Sequence, residues 1–242
     1  AAGLAIAEGF RSVHRAAVVA QRNAQDGISL VQTAEGALSE TINILQRIRE
    51  LAVQSANGTN SDRNRIDLDQ EVQQLLEQID NIADFTEFNG VFPLSTMQTI
   101  TFQVGGTDLT TIDLVFGDAM TGLGLGIDGI DILTEASARA LLDNGDPGMG
   151  VSPPVGSINA ALILVNSQRS SLGAIQNRLE FTITTLQYQE ENAVSAESAI
   201  RDADIARETI FFTRNQILVS AGTSILAQAN VIPQTALQLL GG

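Results

Sequence analysis

The sequence predicts a mainly α-helical protein of long antiparallel helical rods with one small β-hairpin element. Of its 242 residues 44% are hydrophobic but only 4% are aromatic, so small aliphatic side chains must supply the core. Ala and Leu, which dominate that set, are strong helix formers. Apolar residues recur every three or four positions over long stretches at both ends of the chain, which is the spacing of one helix face.

The N-terminal stretch, residues 1 to about 56, contains no Pro and predicts one long helix. Its apolar stripe includes Leu38, Ile42, Leu45, Ile48 and Ala52. A helix this long requires a partner helix, because packing supplies most helical stability in proteins. Turn-forming residues 57–62 end it, and Ser61 or Asp62 is placed to cap a second helix over about 63–86. The two helices are predicted to form an antiparallel hairpin.

The middle of the chain, from about 95 to 133, changes to the two-residue apolar alternation of a strand. The alternating residues are Ile100, Phe102 and Val104 before Gly105-Gly106, and Ile112, Leu114 and Phe116 after it. This pattern predicts a β-hairpin followed by a Gly-rich turn. Residues 135–142 predict one short helix, and the Gly- and Pro-rich residues 143–156 predict a surface loop.

A third long helix is predicted from Ser157, packed against the first two, with a polar stretch at 187–198 interrupting its apolar stripe. A last helix begins near Asp202 or Asp204 and is expected to end at Pro233. If the first and third rods pack on each other, its apolar residues have no obvious partner in the chain. Two interpretations stay open: another chain or a missing segment covers the last helix, or it folds back on the rods as core.

The composition argues against an enzyme. The chain has no Cys, one His at position 14, and thirteen basic residues that are all Arg. Thiolate nucleophiles, Cys zinc sites, multi-His metal cages and lysine bases are therefore excluded. The carboxylates lie on predicted polar helix faces or helix ends, where neighbours in sequence do not converge on one point. We predict no catalytic residue, no cofactor and no metal ligand.

Nucleotide, nucleic-acid and membrane binding are also disfavoured. Residues 124–129 match the glycine pattern of a dinucleotide site, but strand-like residues 130–133 follow where that site needs a helix. We therefore interpret the string as a turn with a close backbone approach. A net charge of −15 opposes binding to a phosphate backbone. No apolar run reaches the ~18 residues that indicate a membrane span.

Several strings resemble bacterial flagellin. On the N-terminal side they are NAQDGISLVQTAEGAL from Asn23, LQRIRELAVQSAN from Leu45 and FNG from Phe88. On the C-terminal side they are LGAIQNRL from Leu172, LAQAN from Leu226, Pro233-Gln234 and Leu239-Leu240. They occur in the family's order and together cover most of residues 1–95 and 157–240.

The resemblance implies the flagellin core type of helical rods and a structural subunit that polymerises into the extracellular bacterial flagellar filament for swimming. It implies secretion through the flagellar type III export apparatus. The implied partners are other copies of the chain, the flagellar export chaperone, and the filament cap and hook-junction proteins. The loop at 143–156 stands where the family inserts outer domains, so a short form is expected. The family's N-terminal segment has no counterpart before Ala1, and we expect a longer parent chain to supply it.

The resemblance also implies a domain plan. Residues 1–90 and 157–198 are the two parts of the core rod domain, and 91–156 hold the hairpin, Gly-rich turn and short variable loop. Residues 199–242 are the terminal-domain helix of the inner tube. On this helix, the residues expected to serve polymerisation and chaperone binding are Ile210, Phe211, Ile217, Leu218, Ile225, Leu226, Leu237 and Leu240.

A patch for the vertebrate flagellin-sensing Toll-like receptor carries over to Arg47, Leu51 and Glu71. The alternative is that Arg47 and Glu71 form an ordinary exposed pair and that Leu51 packs against a neighbour.

Two other functions stay open for the whole chain. One is a hook-filament junction protein, whose family shares the helical ends. The other is a flagellin-like cell-surface protein that binds polysaccharide, which would call for exposed aromatic residues where this chain has one Tyr and no Trp.

Overall fold

The protein is described by a computed structural model that covers residues 2–106, 110–143, 156–202 and 205–241. Within these ranges the chain forms five helices and one two-stranded sheet. They are α1 (Ala2–Ser55), α2 (Asp62–Phe85), β1 (Gln98–Gln103), β2 (Thr111–Phe116), α3 (Glu135–Leu141), α4 (Ile158–Arg201) and α5 (Ile205–Leu240). The predicted fold class is confirmed.

The chain divides into two compact units. One spans Ser12–Ala193, and the other combines Ala1–Arg11 with Val194–Gly242. The first unit contains most of α1 and α4 together with α2, the β-hairpin and α3. The second contains the start of α1, the end of α4 and all of α5.

In the unit Ser12–Ala193, α1 and α2 form the predicted helical hairpin. Leu45 of α1 and Ile79 of α2 are fully buried in the same hydrophobic cluster. The Ser61 hydroxyl accepts a hydrogen bond from the backbone N–H of Asn64 (3.3 Å), so Ser61 is the cap of α2. The predicted hairpin and the first of its two cap candidates are confirmed.

Helix α4 runs antiparallel to α1 as the third rod. Arg169 of α4 pairs with Glu35 of α1 (3.2 Å), and nearer the other end of the helices Glu190 approaches His14 (3.3 Å). One continuous core joins apolar side chains of α1, α2, the hairpin, α3 and α4. Residues of α4 in this core include Val165, Leu172 and Leu179. The three-rod packing expected from the apolar spacing is confirmed.

The β-hairpin packs on this three-rod core. Strands β1 and β2 pair antiparallel from Gln98↔Phe116 to Gln103↔Thr111. Leu114 is buried while Val115 is exposed, which is the alternation predicted for β2. The buried side-chain amide of Gln168 in α4 donates to the Val115 carbonyl and accepts from the Gly117 N–H, each at 3.3 Å. This amide fixes the end of β2 against α4.

Polar side chains of α2 hold the Gly-rich segment that follows the hairpin. The Asp80 carboxylate accepts from the Gly122 N–H (2.7 Å), and the Asp69 carboxylate accepts from the Ile132 N–H (2.9 Å). At Gly124 the backbone is so close to the preceding turn that a Cβ atom would lie 1.9 Å from the Ala119 carbonyl oxygen. The interpretation of residues 124–129 as a turn with a close backbone approach is therefore confirmed.

The end of the last helix differs from the sequence prediction, and parts of two other predicted boundaries lie outside the described residues. Pro233 was expected to end the last helix, and this prediction is wrong because α5 continues to Leu240. A proline removes one backbone donor and crowds the preceding turn, which costs stability and kinks a helix but does not always end it. In the predicted surface loop at 143–156, residues 144–155 lie outside the described residues, as does Asp204 near the start of α5.

In the other unit, the start of α1 and the end of α4 contact each other through charged side chains. Glu197 pairs with Arg11 (3.0 Å) and with Arg201 (2.9 Å). Ile200 lies 3.6 Å from the position of a Cβ on Gly3. Helix α5 follows with its described side chains exposed to solvent. No helix in the described part of the chain is long and apolar enough to cross a membrane.

Candidate assembly surfaces

The apolar residues predicted to serve assembly lie exposed along α5. Six of them are 47–67% exposed, namely Ile210, Phe211, Ile217, Leu218, Ile225 and Leu226. Leu237 and Leu240 lie within α5, but their side chains are outside the part that the structure describes. The sequence reasoning missed Phe212 and Val219, which are equally exposed. Their seven-residue spacing, continued at Leu226, is the signal that identifies them.

The exposed apolar surface covers more than one side of α5. Successive residues of a helix point about 100° apart, so Ile210, Phe211 and Phe212 together span about 200° of the circumference. A shallow groove of about 430 Å³ runs along Ile210, Arg214 and Leu218. A helix that is apolar over most of its circumference is normally a buried helix. The described surface of α5 is thus suited to burial against other helices.

The three residues of the predicted receptor patch occupy different environments. Arg47 on α1 contacts Glu71 on α2 through two guanidinium nitrogens, at 2.9 and 2.8 Å, and a third nitrogen contacts Glu50 at 3.1 Å. The hydrogen bond that Arg47 donates to Glu71, followed by the one that it donates to Glu50, raises the pKa of Arg47. Leu51 is only 1% exposed and lies in the hydrophobic core. Glu50, the second acidic partner of Arg47, was not among the residues predicted for the patch.

The polar side chains of the described ranges do not form a metal centre. Among those residues, no group of three or more His, Asp or Glu side chains is placed to hold a metal ion. His14 lies beside Glu190, whose second carboxylate oxygen accepts a hydrogen bond from the side-chain amide of Gln21 (2.8 Å). This contact joins α1 to α4.

Comparison with known proteins settles the family. Residues 1–99 match the profile of the bacterial flagellin N-terminal helical region, and residues 155–240 match that of the C-terminal helical region. The chain belongs to the bacterial flagellin family. The matched regions include α1 and α2 on one side and α4 and α5 on the other.

Similarity to individual flagellins extends over nearly the whole chain. A flagellin of Halalkalibacterium halodurans is 45% identical over 243 residues, covering 99% of this chain and 84% of that protein. The flagellar filament 31.3 kDa core protein of Treponema maltophilum is 42% identical over 250 residues, covering 99% and 85%. The crystal structure of Bacillus cereus flagellin, 31% identical, matches with a TM-score of 0.56 over 68% of this chain and 88% of that one.

These relatives identify the biological role of this flagellin. It is a structural subunit of the bacterial flagellar filament, and such a subunit polymerises with copies of itself. The alignment of 243 residues with the Halalkalibacterium halodurans protein leaves no room for a large inserted outer domain within the aligned part, so this is a short form of flagellin.

Proposed function

We propose that the exposed apolar surface of α5 is the main assembly surface of this flagellin. A flagellar export chaperone covers it before assembly, and helices of the filament cover it afterwards. The supporting observation is the exposure of six large apolar side chains on one helix, at 47–67% each. Burying one Ile or Leu side chain contributes roughly 1.5–3 kcal/mol, so the surface supplies a strong drive towards a covered state.

The charge distribution on α5 supports a helical partner. Between Ile210 and Leu226 the only charged residue is Arg214, which lines the groove. A long apolar helix face with so few charges is typical of helices that lie in a groove or a bundle formed with another protein. The same surface therefore suits both the chaperone and the filament, which bind it in succession.

The effect of one buried charge tests this proposal. In the full-length protein, Ile217→Asp is expected to raise the critical concentration for polymerisation at least tenfold and to weaken binding of the purified export chaperone at least tenfold. The reason is that a carboxylate on a buried apolar surface must be desolvated without a partner. Sedimentation of filaments and isothermal titration calorimetry measure the two quantities.

Ser220→Asp is the matched control for this experiment, because Ser220 lies with Thr213 and Ser224 on the polar line of α5. It adds the same charge to the same exposed helix without removing an apolar side chain. We expect polymerisation and chaperone binding within twofold of the parent. Circular dichroism verifies that both variants stay helical. If Ile217→Asp polymerises and binds the chaperone like the parent, α5 is not the assembly surface.

We further propose that Arg47 and Glu71 form a recognition patch for the vertebrate flagellin-sensing Toll-like receptor, with Leu51 supporting it from the core. Their ion pair places a cation and an anion side by side on the surface of α1 and α2. Arg47→Ala is expected to lower receptor activation in a reporter-cell assay several-fold. Arg49→Ala removes another exposed arginine two residues away and is expected to change it little. Equal activation by both variants would remove Arg47 from the patch.

The remaining proposals follow from the filament role. This flagellin is secreted through the flagellar export apparatus, lies outside the cell in the filament, and contacts the filament cap and hook-junction proteins at the filament ends. It acts as a structural protein rather than an enzyme, and without a nucleic-acid or membrane partner. Residues 1–90 and 157–198 form its core rod domain, 91–156 the hairpin, turn and variable loop, and 199–242 the terminal-domain helix.

A further inference from the structure

The outermost line of α4 in the unit Ser12–Ala193 carries no charge. Buried residues such as Leu172 and Leu179 define the inner face of the helix. At about 100° per residue, six positions between 163 and 192 fall within about 20° of the opposite direction. They are Ile163, Ser170, Ala174, Phe181, Tyr188 and Asn192, all exposed, and they are named here the outer α4 stripe. It is about 44 Å long at 1.5 Å per residue.

The outer α4 stripe exposes large side chains where solvated charges are usual. Ile163 is 55% exposed, Phe181 75% and Tyr188, the only Tyr of the chain, 64%. The solvent face of an amphipathic helix normally carries charged and polar residues. In the same unit, the exposed face of α1 follows this rule with residues such as Arg22, Asp26 and Glu40. Exposed apolar and aromatic residues in a row mark an interaction surface.

A groove beside the stripe extends the uncharged surface. A cavity of about 560 Å³ lies between α1, α4 and the residues that follow β1. Thr182 and Thr185 of α4 line one side of it, and Val13 and Ala16 of α1 line the other. None of the described residues that line this cavity is charged. Thr185 lies about 40° from the axis of the stripe, so the groove adjoins the stripe beside Phe181 and Tyr188, with the exposed Arg178 one turn away and about 60° from the axis.

We propose that the outer α4 stripe, with its groove, is a docking line for a second copy of this chain in the filament. Each copy carries a net charge of −15, so surfaces rich in carboxylates repel each other when two copies approach. Juxtaposed like charges oppose association, whereas an uncharged line allows close contact. An extended line of about 44 Å also suits rods that pack side by side. Because filament contacts join unlike faces of successive copies, the stripe meets a different surface of the neighbour.

This proposal rests on the filament role and names one of the surfaces that carry it out. A cysteine-labelling experiment tests it directly, because these 242 residues contain no Cys. Ser170→Cys places a thiol on the stripe, and Gln187→Cys places one on an exposed position of α4 about 120° away from the axis of the stripe. In monomers both thiols are expected to react with a maleimide at similar rates. In filaments the labelling rate is expected to fall more than tenfold for Ser170→Cys and to stay within twofold for Gln187→Cys.

Two results of the labelling experiment overturn the proposal. Unchanged labelling of Ser170→Cys in filaments means that the stripe faces solvent in the filament and is not a contact between copies. Its aromatic residues are then free to bind another partner. Equal protection of both thiols means that burial is not specific to the stripe.

Polymerisation of full-length variants provides an independent measurement. Ser170→Glu and Phe181→Glu are expected to raise the critical concentration at least tenfold, while Gln187→Glu stays within twofold of the parent. A parent protein that does not polymerise contradicts the filament role itself. A parent that polymerises together with both stripe variants contradicts the docking line alone. Circular dichroism of the monomers checks the fold, and all three positions are exposed, so the core is not altered.

Discussion

A side chain at Gly124 would collide with the backbone of its own turn. A Cβ atom there would lie 1.9 Å from the carbonyl oxygen of Ala119 and 2.8 Å from its carbonyl carbon, and neither atom belongs to a flexible side chain. Gly124→Ala is therefore expected to lower the free energy of unfolding by more than about 2 kcal/mol. Urea denaturation of the monomer, followed by circular dichroism, measures it.

Gly173 provides the opposite case in the same molecule. It lies inside α4, and a Cβ there would have no atom within 4 Å. Gly173→Ala is expected to raise the free energy of unfolding by about 0.5–1 kcal/mol, because Ala loses less backbone entropy in a helix. If Gly124→Ala does not lower the urea midpoint, the turn at Gly124 is less constrained than its geometry indicates, and if Gly173→Ala does not raise it, the expected gain in helix stability at Gly173 is wrong.

The buried position of Arg65 could not be predicted from its residue type. Its guanidinium is buried, and it donates to the carbonyl oxygens of Asn57 (3.2 Å) and Asn60 (3.4 Å) and towards the Ser55 hydroxyl (3.5 Å). These acceptors come from the last residue of α1 and from the turn between α1 and α2. Because they converge only once the turn is folded, a sequence pattern indicates the turn but not the arginine that fills it.

At the scale of elements, the features predicted from the sequence were those that repeat along the chain. The three-to-four-residue spacing indicated α1, α2 and α4, and the two-residue alternation indicated the hairpin, because a periodic pattern reports which face is buried. The candidate residues on α5 were found from their apolar character in the same way. Phe212 and Val219 were missed because an apolar surface wider than one stripe weakens the periodic signal.

The elements that the sequence did not predict depend on contacts between distant segments. Asp69 and Asp80 belong to the polar face of α2, which predicts solvated charge. Instead they accept hydrogen bonds from the backbone of a segment 42 to 63 residues later. Leu51 of the proposed receptor patch is buried, which was one of the two interpretations open from the sequence, because its burial depends on how α1 packs. A periodic pattern describes one segment at a time, so it does not predict such contacts between distant segments.

At the scale of the whole molecule, the net charge of −15 opposes assembly of copies that must pack closely. Raising the ionic strength from about 0.01 M to about 0.1 M shortens the screening length from about 30 Å to about 10 Å. The critical concentration for polymerisation of the full-length protein is therefore expected to fall several-fold over this range of sodium chloride. Sedimentation of filaments at each salt concentration measures it. An unchanged critical concentration would mean that repulsion between subunits is not what limits assembly.

Salt also separates long-range repulsion from burial of a charge. Exposed charges are screened, whereas a carboxylate forced into a contact must lose its water, and salt offsets that cost far less. Any small rise in the critical concentration of Gln187→Glu is thus expected to vanish at about 0.1 M salt, because exposed charges more than about 10 Å apart are then largely screened. The defect of Ser170→Glu is expected to persist, because its charge lies in the contact between copies. Recovery of Ser170→Glu to the level of the parent would place that residue on a solvated face and make its effect one of net charge alone.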